Sequence, residues 1–363
     1  MKIYNCECLK DLPLKIIRVE GNARERGRQY GQKAKDTIEK SLEINKKIFF
    51  RLMNVDSVES IYERVHMFCS ALKRYDYDIY EEIVGISEGA KIKLDDILFL
   101  NFRPELINPF SDRKNFGCTT VKLEKDECFV GQTFDWFKGT ETTIMGLIEK
   151  QEDGTEYFMI VEAGTISGVG INNRGVVNLL NYLGNVYFRE DGAGYNVLLK
   201  RIIKSDCLET AQREVLRSPV ALGLNVLMAD VEQNCYDYEI TSRGIDFKKI
   251  TERKYIHTNH FKSTKLLAKI FSQSLLLESR ERLTRANEIL SYEEDIFSNI
   301  DKCFCYHTEE EIGSICRHGK NNNDIETLFS MVINLNKQIL FLKIGPSCMN
   351  AYYQIQFVDV FKE

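Results

Sequence analysis

The chain changes character at Cys118, and that switch restricts its folding more than any other feature of the sequence. Before it, four stretches carry helical periodicity: Ala23 to about Leu52 with Asn22 as its cap, Ser57 to Lys73, Asp78 to Ala90, and Leu94 to Leu106. Gly27 and Gly31 are costly inside the first of these, so they predict close packing against a neighbour. Pro109 to Lys114 reads as a polar connection. After it, Thr119 to Leu123 and Cys128 to Thr133 are short β-rich runs separated by charged turn residues, the pattern of a hairpin. Further strands are expected at Thr143 to Glu149, Tyr157 to Val161, Gly175 to Leu180, Leu224 to Ala229, Asp237 to Thr241, Tyr255 to Asn259, Thr327 to Asn334 and Gln338 to Lys343. Helices are expected at Tyr195 to Ser205, Leu208 to Leu216 and Glu278 to Leu290, with a basic stretch over Lys248 to Lys254. Helices first, then strands, helices and strands again fit layered sheets covered by helices better than regular βαβ alternation.

The chain has 363 residues, enough for one large domain or two ordinary ones, and no linker-like segment divides it. A hydrophobic share of 44% with 28% charged residues is that of a globular protein with a sizeable core. A formal net charge of -5 argues against a nucleic-acid partner, which needs a basic face. The N-terminal residues lack an apolar leader segment, and no stretch is long and apolar enough to span a membrane. The 11 cysteines are odd in number and scattered, with no C-x-x-C pair, so a reduced, cytoplasmic protein is expected. Cys6/Cys8 and Cys303/Cys305 are only C-x-C, and the five histidines show no metal-ligand spacing, so no metal and no cofactor are expected.

A cysteine directly after a glycine, at the start of a strand, can cut its own chain. The Cys118 thiolate attacks the Gly117 carbonyl, the acyl group moves from nitrogen to sulfur, and water hydrolyses the thioester. Gly117 leaves that attack sterically open. The new chain end carries a thiol and a free α-amine on one residue. An α-amine has a reference pKa of about 8, suited to general-base work, and a nucleophile paired with its own terminal amine is an established solution to acyl transfer. Phe134, Trp136 and Phe137 flank Asp135 and are expected to line an acyl pocket or pack the core, as is Tyr182.

Five stretches occur in an order that resembles the penicillin acyltransferase-like (isopenicillin-N N-acyltransferase) family of N-terminal-nucleophile hydrolases. They are Gly21-Asn22-Ala23-Arg24-Glu25-Arg26-Gly27-Arg28-Gln29-Tyr30-Gly31, then Gly117-Cys118-Thr119-Thr120, then Gly131-Gln132-Thr133-Phe134-Asp135-Trp136. After a glycine-rich Gly170 to Val176 come His257-Thr258-Asn259-His260 and Ser314-Ile315-Cys316-Arg317 with Thr327-Leu328-Phe329-Ser330. The resemblance spans nearly the whole chain and implies a four-layer αββα sandwich. It implies self-cleavage between Gly117 and Cys118 into a mainly helical segment 1–117 and a β-rich segment 118–363, which stay together as one domain and an α/β heterodimer. It makes Cys118 the nucleophile. Asp135 is implied to orient the freed amine or hold the cleavage loop, Asn259 to donate its amide to an oxyanion, and Arg317 to stabilise charge near the nucleophile or pair with Asp135. Asn172 and Asn181 are expected to shape loops, and His257 and His260 are unneeded as bases.

The activity implied is transfer or hydrolysis of an acyl group through a Cys118 thioester, as an N-acyltransferase or a linear-amide amidohydrolase. The substrate is then a small-molecule amide or an acyl-CoA-type thioester. A bile-salt or ceramide-type cysteine amidase would use the same chemistry on another substrate. A non-catalytic scaffold that keeps the fold would remain one chain, which a mass measurement separates from both.

Overall fold

The structure is a computed structural model and describes residues 1–53, 57–107, 117–183, 189, 191–266, 273–292, 295–309, 312–321 and 324–362. The expected connection Pro109 to Lys114 lies outside the described residues. Helices α1 (Ala23–Met53), α2 (Glu59–Tyr75), α3 (Tyr77–Ala90) and α4 (Leu94–Ile107) fill the first third. Asn22 caps α1 as expected: its Oδ1 accepts from Glu25 N–H at 3.0 Å, and the Glu25 carboxylate accepts from Asn22 N–H at 3.1 Å. Gly27 and Gly31 do mark close packing. A Cβ on Gly27 would lie 2.0 Å from the Glu82 carbonyl oxygen, and one on Gly85 would lie 2.3 Å from that of Arg24, so α1 and α3 meet backbone to backbone.

Two sheets follow. The first runs in the order β1 (Ile3–Asn5), β15 (Tyr352–Gln356), β14 (Ile339–Ile344), β13 (Ile325–Asn334), β4 (Cys128–Phe137), β3 (Cys118–Glu124), β12 (Lys254–His257). The second runs β11 (Gly244–Lys249), β10 (Cys235–Thr241), β9 (Leu224–Ala229), β8 (Val177–Tyr182), β7 (Val169–Asn172), β6 (Glu156–Glu162), β5 (Ile144–Lys150), β2 (Ile16–Glu20). Pairing is antiparallel except at two edges, where β1 lies parallel to β15 and β2 parallel to β5.

Strand alternation turns each sheet two-faced, and the core is accordingly layered. Between the sheets, Val130, Met331, Ile333 and Leu340 of the first meet Ile148, Phe158, Ile171 and Val226 of the second. The outer face of the second sheet, with Leu147, Met159 and Val161, is covered by α1 to α4 through Tyr30, Ile38, Phe68 and Phe99. Helix α5 (Tyr195–Ile203) continues that cover beside α4 and against β7 and β8, with α6 (Leu208–Arg217) packed on it. The outer face of the first sheet, with Val121, Leu123 and Phe341, is covered by α7 (Gln273–Ile289) and α8 (Ile296–Cys305). Helix, sheet, sheet, helix is the expected four-layer αββα sandwich. Among the described residues no helix is long and apolar enough to cross a membrane.

Some elements differ from expectation. Edge strands β1 and β2 are too short to announce themselves. Gly175 adopts φ +85° in a turn, so β8 starts at Val177 rather than at Gly175. The basic stretch from Lys248 is the end of edge strand β11. Deep under the helical cover, Arg26 Nη2 lies 3.0 Å from Glu82 and its Nε 3.1 Å from Glu149, and Lys200 Nζ lies 2.6 Å from each carboxylate. The Tyr157 hydroxyl also donates to Glu149 at 2.8 Å. This closed network ties α1, α3 and α5 to β5.

Candidate active site

Cys118 is the first residue of β3, in the interior of the first sheet, where it pairs with Phe134 of β4. On its other side β12 stops at His257, opposite Thr120, so the last turn of ladder beside Cys118 is vacated by a strand. Asn259 fills that place, its Oδ1 accepting from the Cys118 N–H at 2.8 Å. Across β4, Asp135 faces Thr327 of β13, and a bulge follows before Phe329 pairs with Phe134. The Thr327 hydroxyl donates to Asp135 Oδ1 at 2.7 Å and accepts from the Arg317 N–H at 2.9 Å. Arg317 Nε approaches Asp135 Oδ2 at 3.7 Å, and its guanidinium also pairs with Glu278. The four residues singled out in the sequence, Cys118, Asp135, Asn259 and Arg317, therefore converge on one place, from β3, β4 and two loops.

Gly117 fits there only as glycine. A Cβ would lie 2.7 Å from both Arg317 Nε and Asp135 Oδ2. Its carbonyl oxygen accepts from the Asp135 N–H at 3.1 Å. The peptide bond before Cys118 is thus held at both ends, by a backbone donor on its oxygen and a side-chain acceptor on its nitrogen.

Arg282 is a site residue that the sequence did not disclose. It lies in α7 and is fully buried, although its surroundings in the sequence, Glu278 to Glu288, look like a solvated helix face. Its Nη1 donates to the Cys118 carbonyl at 2.7 Å and its Nη2 to Asn259 Oδ1 at 2.8 Å. That contact fixes the Asn259 amide, because a guanidinium only donates. Its other end, Nδ2, donates to the Tyr182 carbonyl at 2.7 Å. Asn259 therefore presents an acceptor to Cys118, where an oxyanion donor was expected.

Burial dominates the electrostatics. It pushes the Cys118 thiol up to about 12, the Asp135 charge adding to the rise while the Asp135 N–H, Arg282 and Arg317 oppose it. Asp135 is raised by burial to about 6, with Arg317 and Arg282 pulling the other way. A thiol so placed is protonated near neutral pH and needs a base. His257 is not that base: both its ring nitrogens face acceptors, Thr258 O at 2.6 Å and Glu239 Oε1 at 2.7 Å. His260 is turned to Thr258 and Ser279, and burial lowers it to about 4.

Cys118 and Asp135 open on a narrow cavity lined also by Phe134, Trp136, Tyr182 and Tyr195. A second compartment shares Phe134, Trp136 and Tyr195 and ends on Arg103 and Glu162, which pair at 2.8 Å. Phe134 stacks on Phe329 with centroids 4.9 Å apart, which holds one wall. Phe134, Trp136 and Tyr182 are thus pocket residues, while Phe137 packs in the core beneath the helices. Asn172 closes a turn by accepting from Arg174 and Val176 N–H, and Asn181 donates to Thr120 Oγ1 at 2.8 Å across the sheets.

In comparison with known proteins, the chain is 28% identical over 184 residues to the acyl-coenzyme A:6-aminopenicillanic-acid-acyltransferase 40 kDa form of Emericella nidulans, a match over 50% of this chain and 51% of that protein. The chain thus spans about half the length of that curated relative. Among solved structures it is similar to penicillin V acylase from Agrobacterium tumefaciens, at TM-score 0.44 and 12% identity over 68% of this chain and 89% of that one. It is also similar to a variant of conjugated bile acid hydrolase from Clostridium perfringens, at TM-score 0.44 and 10% identity over 62% and 89%. The model of one family, acyl-coenzyme A:6-aminopenicillanic acid acyl-transferase, matches residues 122–346, well over half of the chain, and the chain belongs to that family.

Proposed function

We propose that this protein is a self-processing enzyme whose Cys118, freed by cleavage after Gly117, takes an acyl group as a thioester and passes it to water or to an amine. The observation that carries the reading is the Gly117–Cys118 peptide bond itself. Its carbonyl oxygen rests on the Asp135 N–H and its nitrogen on Asn259, at the mouth of an otherwise largely apolar pocket.

In the uncut chain the raised Asp135 carboxylate serves as the base. It accepts the thiol proton, Sγ adds to the Gly117 carbonyl carbon, and the oxyanion forms on the oxygen that already accepts from Asp135 N–H. Collapse breaks the C–N bond as protonated Asp135 returns its proton to the Cys118 nitrogen, which leaves as an amine still held by Asn259 Oδ1. Water then hydrolyses the thioester, leaving a Gly117 carboxylate and an N-terminal Cys118. The products are a mainly helical segment 1–117 and a β-rich segment 118–363, which stay associated as an α/β heterodimer.

In turnover the α-amine takes the thiol proton, and Arg282 and Asn259 fix its position. The thiolate attacks the substrate carbonyl, and the leaving amine or thiol takes the proton back. Asp135 N–H, released by departure of Gly117, is the donor open to the new oxyanion. The side chains of Phe134, Trp136, Leu180 and Leu222 favour an apolar acyl group. The family supports a small acyl-CoA-type donor or an amide as substrate.

Intact-mass measurement tests the first half of this reading. The wild type should appear as two fragments cut after Gly117, and Cys118→Ala as one chain. An active wild type that remains uncut would exclude the amine as base. Incubation with mixed acyl-CoA and N-acyl-amino-acid donors tests the second half, an acyl adduct on the Cys118 fragment being the expected product.

A further inference from the structure

Away from the pocket, two thiols and two imidazoles from three separate segments meet at one edge of the molecule. Cys316 and His318 flank Arg317 in the loop before β13, Cys348 lies in the turn after β14, and His307 follows α8. The two sulfur atoms are 3.6 Å apart. His318 Nε2 lies 3.2 Å from Cys348 Sγ and 3.7 Å from Cys316 Sγ. The ligand atoms of His307, His318 and Cys348 all fall within 4.8 Å of one another.

The three separations among Cys316, Cys348 and His318 match edges of a metal tetrahedron, while His307 groups within 4.8 Å with His318 and Cys348 and not with Cys316. With Zn–S of about 2.3 Å and Zn–N of about 2.0 Å, tetrahedral edges are roughly 3.7 Å between sulfurs and roughly 3.5 Å between sulfur and nitrogen. His307 supplies a further sign. Its Nδ1 lies 3.0 Å from the Cys305 carbonyl, which only accepts, so the proton sits on Nδ1 and Nε2 keeps its lone pair. Metal-binding histidines are oriented by this kind of bond from the far nitrogen to a backbone carbonyl. Cys316 is fully buried, Cys348 and His318 are half-buried, and His307 is exposed, so the cluster has a closed side and an open one through which an ion can enter.

We propose that Cys316, Cys348, His318 and His307 bind one transition-metal ion of the Zn²⁺ class in tetrahedral S₂N₂ coordination. Binding forms two metal–sulfur and two metal–nitrogen bonds and releases the two thiol protons to solvent, with no change of oxidation state. All four positions being protein atoms, the site is structural, not catalytic. A bound ion would tie the loop carrying Arg317 to the turn after β14 and to the end of α8, and so fix where Arg317 meets Asp135.

The test uses the full-length protein, stripped with a chelator under reducing conditions and titrated with Co²⁺ as a spectroscopic probe. Expected are a sulfur-to-cobalt charge-transfer band with tetrahedral d–d bands at one ion per chain, and displacement by Zn²⁺. Cys348→Ser and His318→Gln should each weaken binding at least ~100-fold, while Cys8→Ser, outside the cluster, keeps it. Zn²⁺ should raise the melting temperature of the wild type and leave that of Cys348→Ser unmoved, a readout that stands whether or not Cys118 is active. Absence of the charge-transfer band in wild type that melts cooperatively would overturn the proposal. So would a non-reduced native protein in which Cys316 and Cys348 are found cross-linked and no metal is bound.

Discussion

Two buried clusters of charge sit in this molecule, and they are built differently. Arg26, Lys200, Glu82 and Glu149 form a closed set of two cations and two anions, each cation touching both carboxylates. Cys118, Asp135, Arg282 and Arg317 form an open one: Arg282 Nε has no hydrogen-bond partner among the described residues, and Asp135 Oδ2 has only the 3.7 Å approach of Arg317 Nε. A buried polar atom left without a partner costs stability, and folding alone gives no reason to keep it. The closed set fits a structural role, and the open one fits a site that completes itself on a reacting group.

Cys118→Ala puts that contrast to its strongest test. It should abolish both chain cleavage, read by intact mass, and turnover, read by acyl-donor consumption, while the uncut chain still unfolds cooperatively in urea. Lys200→Met should do the reverse. Removing one cation leaves two buried carboxylates to share Arg26 alone and should cost about 3–5 kcal/mol in urea unfolding, with cleavage of the folded fraction unchanged. If Lys200→Met instead blocks cleavage without loss of stability, the closed set is part of the site.

Glu105 adds a third case, a buried carboxyl with no cation beside it. Burial raises it to about 8, while its Oε1 accepts from Tyr195 N–H at 2.7 Å. Between its ordinary value of 4.5 and about 8, the unfolded chain gives up a proton that the folded chain keeps. Stability is therefore fully present below that window and falls through it, by at most about 1.4 kcal/mol per pH unit. Glu105→Gln should flatten the fall, measured as urea midpoints from pH 5 to pH 8. An equal slope in both proteins would mean that the carboxyl is already ionised.

The smallest effect concerns Arg282. Cleavage should rise with pH as Asp135 ionises through about 6 and then level off. Arg282 opposes the rise in Asp135, so Arg282→Met should move this limb to higher pH and slow cleavage at pH 6 severalfold, with a smaller effect at pH 8. A limb that stays in place would make Arg282 a holder of Asn259 only.

Much of this was legible in the sequence, for reasons that particular residues make plain. Gly27 and Gly31 stood out because a helix tolerates them poorly, and each proved to be a backbone contact. The hairpin of β3 and β4 was visible because alternation and a charged turn are local signals. Cys118, Asp135, Asn259 and Arg317 were found by ordered motifs. Arg282 was not, because a buried arginine in a charged helix has no local mark; only tertiary packing turns it inward. The polarity of Asn259 was hidden for the same reason, since Arg282 dictates it. Helix α8 does carry a local signal: Ile296, Phe297, Ile300, Cys303 and Phe304 share a face behind Asp295, whose side chain accepts from Ser298 N–H.

The two parallel edge strands also decide how a cut chain would hold together. Residues 1–117 do not merely lie against the rest as a helical cap; they supply β1 to the rim of one sheet and β2 to the rim of the other. A chain severed before Cys118 would therefore be held as a staple holds two pages, with one prong in each sheet and the helices as its bar. Pulling the pieces apart means unzipping both rims and baring a whole layer of core at once. Separation of the two parts should then coincide with global unfolding, with no intermediate in which the larger part survives alone.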